Sequence, residues 1–177
     1  MNSLKRRLRF HAGAKYDIYL GKGFSGFVKA HNHDFFQVMF VLQGHVTQLQ
    51  NGQTVEQFPG DIFFTPRGID HALMIHEDTE YYCLSFSQNI ATDVMSAISS
   101  DTLQKLLPDP VIHLSEGDRT TIAEMCGLLL QEQERSGDEG IDAGVFLTEA
   151  IAVMILRLKF RLYVNSWGGA QVKENQG

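Results

Sequence analysis

Two short patterns constrain this chain more than any other feature. The first reads His31-x-His33-x3-Gln37-x6-Gly44, and the second reads Gly60-x5-Pro66-x-Gly68-x2-His71. Side chains alternate along a strand, so His31, His33, Phe35, Gln37 and Met39 are expected on one face of a single strand. The other face carries Asn32, Asp34, Phe36, Val38, Phe40 and Leu42, and is apolar beyond its start. A strand apolar on both faces is covered on both sides, as in a sandwich or a covered barrel. Pro66 and Gly68 follow the apolar run Ile62-Phe63-Phe64 and should turn the chain into a strand through His71, Leu73 and Ile75.

The rest of residues 16 to about 87 reads as short strands and turns. Asn51-Gly52 between Val46–Gln50 and Thr54–Phe58 signals a tight hairpin. Pro59-Gly60 makes the next turn, and Glu80 to Phe86 reads as a further strand. Regular short strands indicate a barrel or sandwich. After Ser87 the pattern changes. Residues 90 to 107 read as a short helix with Val94, Ile98, Leu103 and Leu106 apolar, broken by Pro108 and Pro110. Val111 to Leu114 reads as a last strand. Ser115 with Asp118 makes a capping-box pattern, and the helix behind it places Ile122, Met125, Cys126, Leu129 and Leu130 on one stripe. A second helix runs from about Asp142 to Val164, and its apolar residues cover more than one stripe, so it is expected to be buried on two sides. Arg157, Lys159 and Arg161 are placed to suit the dipole at its C-terminus. Ser166 to Gly177 is mostly polar, contains Gly168-Gly169, and reads as a linker or tail ending at a domain boundary.

Bulk properties exclude several classes. The chain has 177 residues, 44% of them hydrophobic, which suits one domain with a real core and an appended helical element. Its formal net charge of −6 makes it a poor ligand for polyanions. Lys5, Arg6, Arg7 and Arg9 cluster near the start; they read as a solvated arm or edge strand, or as an arm that folds over a ligand. No apolar segment of export type follows them and no run is long enough to span a membrane, so a cytoplasmic location is expected. Cys83 and Cys126 are then reduced core thiols. No Ser-His-Asp order, phosphate loop or paired-cysteine zinc motif is present.

The two opening patterns resemble those of the cupin superfamily. The first cupin motif is matched at His31, His33 and Gly44, and departs at Gln37, where the family usually has Glu. The second is matched at Gly60, Pro66, Gly68 and His71; its final Asn would fall at Ile75. The order of parts resembles, more narrowly, the N-terminal half of an AraC-type transcriptional regulator: a cupin-like sensor followed by two dimerisation helices. Pro59-Gly60-Asp61, the stretch Pro66 to His71, and Leu114-Ser115 leading into a helix that ends Gln131-Glu132-Gln133-Glu134 carry that resemblance, which spans roughly residues 8 to 165.

The resemblance implies a mainly β fold with C-terminal helices: a double-stranded β-helix (jelly-roll) barrel, then an antiparallel helix pair. The expected parts are an arm over 1–15, a barrel over 16–114, a helical dimerisation element over 115–165 and a linker or tail over 166–177. It implies effector sensing rather than enzymatic activity, a homodimer through the C-terminal helices, and DNA contact only through a domain absent from this chain. His31, His33, Phe35, Gln37, Met39, His71 and Leu73 are the candidate ligand-binding residues. His31, His33, Gln37 and His71 also form a donor set for one divalent transition metal (Zn, Ni, Fe or Mn). Three readings of these groups stand open: a metal site, mutual hydrogen bonding with water, or recognition of sugar hydroxyls or a carboxylate. The alternative function is a stand-alone metal-dependent cupin enzyme (dioxygenase, isomerase or decarboxylase), which Gln37 in place of Glu makes the weaker reading. His11, His45, His76 and His113 read as surface or turn residues, and Asp70 should point away from the face of His71.

Overall fold

The structure, a computed structural model, describes residues 14–50, 52–96, 111–135 and 143–174. Among them the strands are β1 (Tyr16–Gly21), β2 (Gly26–His31), β3 (Phe36–Gln43), β4 (Val46–Gln50), β5 (Gln53–Gln57), β6 (Asp61–Thr65), β7 (His71–Ile75), β8 (Glu80–Phe86) and β9 (Val111–His113). The helices are α1 (Gln88–Ser96), α2 (Glu116–Arg135) and α3 (Ala143–Glu174). The strands make a five-stranded sheet in the order β1-β8-β3-β6-β9 and a four-stranded sheet in the order β2-β7-β4-β5. Every pairing is antiparallel. The expected barrel followed by helices is present, as two facing sheets rather than one ladder closed all the way round.

Two apolar clusters follow from strand alternation. Val28, Met39, Val41, Val46, Leu73, Ile75, Tyr81 and Cys83 come from both sheets and pack between them. Ile18, Val38, Phe40, Ile62, Leu84, Phe86 and Ile112 point from the other face of the five-stranded sheet and pack against the helices. Helix α2 contributes Ile122, Cys126 and Leu129, and α3 contributes Ile151, Ala152, Ile155 and Leu158. Each buried aliphatic side chain of this size contributes roughly 1.5–3 kcal/mol. The two cysteines are buried and unpaired with each other.

The helices are tied to the barrel by polar contacts as well. Strand β1 is at a sheet edge, so its outward backbone groups need partners. Gln133 of α2 supplies them: its Oε1 accepts from Ile18 N–H at 2.8 Å and its Nε2 donates to Ile18 C=O at 2.9 Å. Ser115 caps α2, with Asp118 N–H donating to its Oγ at 3.3 Å. Arg161, late in α3, pairs with Asp118 in the first turn of α2, so the two helices run antiparallel, as expected. Gly44, the last residue of the first motif, sits at φ +78° with Thr79 Cα 2.6 Å from where a Cβ would stand. Only glycine fits both the backbone and the space.

Several expectations change. The single strand from His31 to Met39 is interrupted: β2 ends at His31 and β3 begins at Phe36. Asn32 and Asp34, short polar residues that favour turns, fall in the break. The last helix extends to Glu174, through much of the segment read as a linker or tail. That segment contains no proline, and Ala170, Gln171, Lys173 and Glu174 are good helix formers. Arg157, Lys159 and Arg161 therefore lie within α3 rather than in its last turn. In the single chain one face of α3 is covered, and the other leaves Phe146, Val153, Phe160 and Val164 exposed. The N-terminal arm up to residue 13, including its basic cluster, and Ile98, Leu103 and Leu106 lie outside the described residues.

Candidate functional site

The three motif histidines converge, though by a route that strand alternation does not foresee. Val28 pairs with Leu73, whereas His31 pairs with His71, so β2 carries one extra residue between them. That bulge exchanges the faces of β2 and turns His31 onto the side of His71. The His31 and His71 rings lie 4.3 Å apart, those of His33 and His71 5.0 Å, and those of His31 and His33 6.2 Å. His33 lies in the connection after β2. Gly68 N–H of the second motif donates to its carbonyl at 2.7 Å, and Asn32 Nδ2 donates to Asp70 Oδ1 at 2.7 Å. The two motifs are thus joined to each other, and Asp70 is occupied by Asn32 rather than by His71.

All three rings are held in the same way. His31 Nδ1 lies 2.9 Å from the carbonyl of Lys29, His33 Nδ1 2.7 Å from that of Phe35, and His71 Nδ1 3.0 Å from that of Ile69. A carbonyl only accepts, so each Nδ1 carries the hydrogen and each neutral ring presents a lone pair at Nε2. The Nε2 atoms of His33 and His71 are buried without a hydrogen-bond partner. Burial pushes the His71 imidazole down from 6.5 to about 4; the Ile69 carbonyl opposes this, and His31 and His33 reinforce it. Burial also lowers His33, again against its backbone bond to Phe35. Both are neutral acceptors at neutral pH.

The interior holds further polar groups that sequence reasoning missed. Gln48 and Gln50 of β4 stand on the same face as Leu73 and His71, their partners in β7, and Gln57 of β5 stands beside Val46. All three glutamines are buried. Gln48 Nε2 donates to Gln57 Oε1 at 2.8 Å, while Gln48 Oε1, Gln50 Oε1 and Gln57 Nε2 have no partner. Buried glutamine is unusual. The available signal was the alternation Val46, Gln48, Gln50 along a strand whose first residue is core.

The remaining candidates take different places. Met39 and Leu73 are buried in the cluster between the sheets, and Phe35 stacks on His33 at 4.0 Å. Gln37 is on β3, across from Ser85, whose Oγ its Nε2 reaches at 3.4 Å. Two concavities lie elsewhere. A crevice of about 340 Å³ is lined by Gly23, Phe24, Gln43 and Glu77 to Glu80, and an apolar cavity of about 80 Å³ by Phe36, Phe64, Phe86, Val94 and Ile155. Neither includes a motif histidine, so the imidazole group, defined by its unsatisfied polar atoms, is the better candidate.

A β-barrel with inward acceptors, backed by a helix pair, defines a small-molecule-binding module of cupin type. Residues 22–147 match the AraC-like ligand binding domain, and the chain belongs to that family. Among solved structures it is similar to a cupin-2 domain protein from Shewanella frigidimarina, at 24% identity, over 40% of this chain and 69% of that one, with a TM-score of 0.37. It is also similar to KdgF from Halomonas sp., at 20% identity, over 42% and 71%, with a TM-score of 0.37. The Cnp3 cupin domain of Schizosaccharomyces pombe is similar at 14% identity, over 52% and 69%, with a TM-score of 0.41. The comparison with curated proteins gives no match. Among the described residues, no helix is long and apolar enough to cross a membrane.

Proposed function

We propose that this chain is the effector-sensing and dimerisation domain of an AraC-type transcriptional regulator. The carrying observation is the imbalance of the buried unsatisfied atoms. Inside the barrel His33 Nε2, His71 Nε2, Gln48 Oε1 and Gln50 Oε1 accept and Gln57 Nε2 donates; the remaining such atom among the described residues, Ser87 Oγ, lies just after β8. Each such group left unpaired costs about 1–3 kcal/mol, which a ligand rich in donors offsets. Polyhydroxylated or amine-bearing molecules match this set. A carboxylate, which brings only acceptors, does not.

Dimerisation is supported by the exposed face of α3. Phe146 is 70% exposed, Val153 38% and Phe160 39%, at successive seven-residue intervals. That is the spacing of a seam between two helices. In this reading DNA is contacted by a separate domain, consistent with the net charge of −6.

The test is calorimetric titration with sugars, amines and aromatic acids. Binding of a polyol or amine that is lost in H71Q and in Q50L is the expected result. Tight binding of aromatic acids, unchanged by both substitutions, refutes the assigned site.

A second reading, a metal-dependent cupin enzyme, is favoured by one observation: Nδ1 of all three histidines is fixed by a carbonyl, as in imidazoles that hold a metal. His31, His33 and His71 would hold the ion, which would supply Lewis acidity, but their nitrogens do not all lie within 4.8 Å of one another here, so the rings would have to close up, and Gln37 adds no charge to neutralise it. Stoichiometric metal after chelator-free purification, with metal and turnover both lost in H33A, supports this reading over the first.

A further inference from the structure

A second group of ligand-type side chains lies on the outer face of the four-stranded sheet. His45 sits in the turn between β3 and β4, Glu56 is on β5, and His76 follows β7. One nitrogen from each histidine and one oxygen from Glu56 all lie within 4.8 Å of one another, and this is the group of that kind among the described residues. The three chain segments are adjacent because β4 pairs with both β5 and β7.

The arrangement is well anchored. His76 N–H donates to the His45 carbonyl at 3.2 Å, which sets the two backbones side by side. Thr79, buried beneath them, accepts from His45 N–H at 3.2 Å and lies 3.0 Å from the His45 carbonyl and 2.7 Å from that of His76. The imidazoles stack with centroids 3.9 Å apart, and Phe58 covers the other face of His45 at 5.0 Å. His45 Nε2 bonds Glu56 Oε2 directly. Thr47, between them on β4, donates to Glu56 Oε2 at 2.9 Å and lies 2.9 Å from His76 Nε2. Both Nε2 atoms and the carboxylate therefore point at one small volume.

We propose that His45, Glu56 and His76 form a surface site for a divalent transition-metal ion such as zinc. Two imidazole nitrogens and one carboxylate oxygen are the ligand types such ions favour. The carboxylate supplies the charge that Gln37 cannot supply inside the barrel. On binding, the ion replaces the hydrogens that His45 and His76 direct at Glu56 and Thr47. Each ring stays neutral by carrying its proton at Nδ1, and Thr47 remains as a hydrogen-bond donor to the carboxylate. Solvent completes the coordination. This site is distinct from the inner histidines: His71 opens β7 facing inward, whereas His76 lies beyond its other end.

The test is zinc titration of the chelator-stripped protein in competition with a chromophoric chelator at neutral pH. The wild-type protein is expected to bind zinc, with one equivalent weakened in both E56Q and H76Q. The weakening should exceed the roughly tenfold cost of losing an outer hydrogen-bond partner. H71Q, folded by circular dichroism, should keep that equivalent. Three results overturn the site: no zinc binding by the folded wild-type protein, binding unchanged in E56Q and H76Q, or binding lost in H71Q and kept in E56Q.

Discussion

Acidification should weaken this fold through His71. His71 is 2% exposed, its Nδ1 is committed to Ile69, and its Nε2 has no acceptor to share a second proton with. Its folded-state pKa of about 4 lies below the 6.5 expected when unfolded. The unfolded chain therefore binds the proton more readily, so stability is fully present above 6.5 and is lost as pH falls toward about 4. Taking those two values, the change from about pH 7 to about pH 5 removes about 2 kcal/mol. His33 acts in the same direction. Because the imidazoles face one another, the loss belongs to the group rather than to one ring. Urea unfolding in the presence of chelator, at both pH values, measures it. The H71Q variant should show a smaller loss over the same interval, whatever its stability at neutral pH. An equal loss in H71Q, or an imidazole resonance of His71 titrating near 6.5, refutes the reasoning.

Other substitutions probe the frame around the site. Q133A leaves Ile18 N–H and C=O without their side-chain partners and should cost about 2–4 kcal/mol, with faster hydrogen exchange at the Ile18 amide; unchanged exchange there removes the role given to Gln133. G44A forces a side chain into a left-handed backbone against Thr79, and should cost more than the roughly 1–2 kcal/mol of the backbone conformation alone, measured by the urea midpoint. F146E with F160E should shift the protein from dimer to monomer in sedimentation velocity while leaving the circular dichroism spectrum intact. A wild-type protein that is already monomeric at micromolar concentration contradicts the seam.

Much of the fold was legible because turns and alternation are local signals. Glu80–Phe86, the pairing of β4 with β5 and the strand from His71 to Ile75 all follow from spacing. The convergence of His31 with His71 was legible only as a family resemblance, because the bulge between Val28 and His31 has no mark in composition. The buried glutamines were only faintly legible, through their alternation with Val46 on one strand. A Gln on a strand reads as solvent-facing unless the opposite sheet is known. His45 and His76 were passed over as isolated turn residues; a stapling threonine brings them together. The reach of α3 was underread because its later part, with Gly168-Gly169, lacks the apolar period that marks a packed helix.

The five-stranded sheet serves as a partition one strand thick. On β3, Met39 touches Gln48 inside the barrel, while its neighbours Val38 and Phe40 belong to the cluster that holds α2 and α3. Consecutive residues thus answer to two different compartments, with no hinge or loop between them. If a guest that displaces Met39 shifts β3, the bed on which the helices lie shifts with it, and whatever grips the helices then acts back on the guest, since coupling of this kind is reciprocal. Effector affinity should accordingly differ between the assembled and separated forms of the protein. Titrating wild-type protein against the F146E/F160E variant would expose that difference, even though both phenylalanines lie on the exposed face of α3.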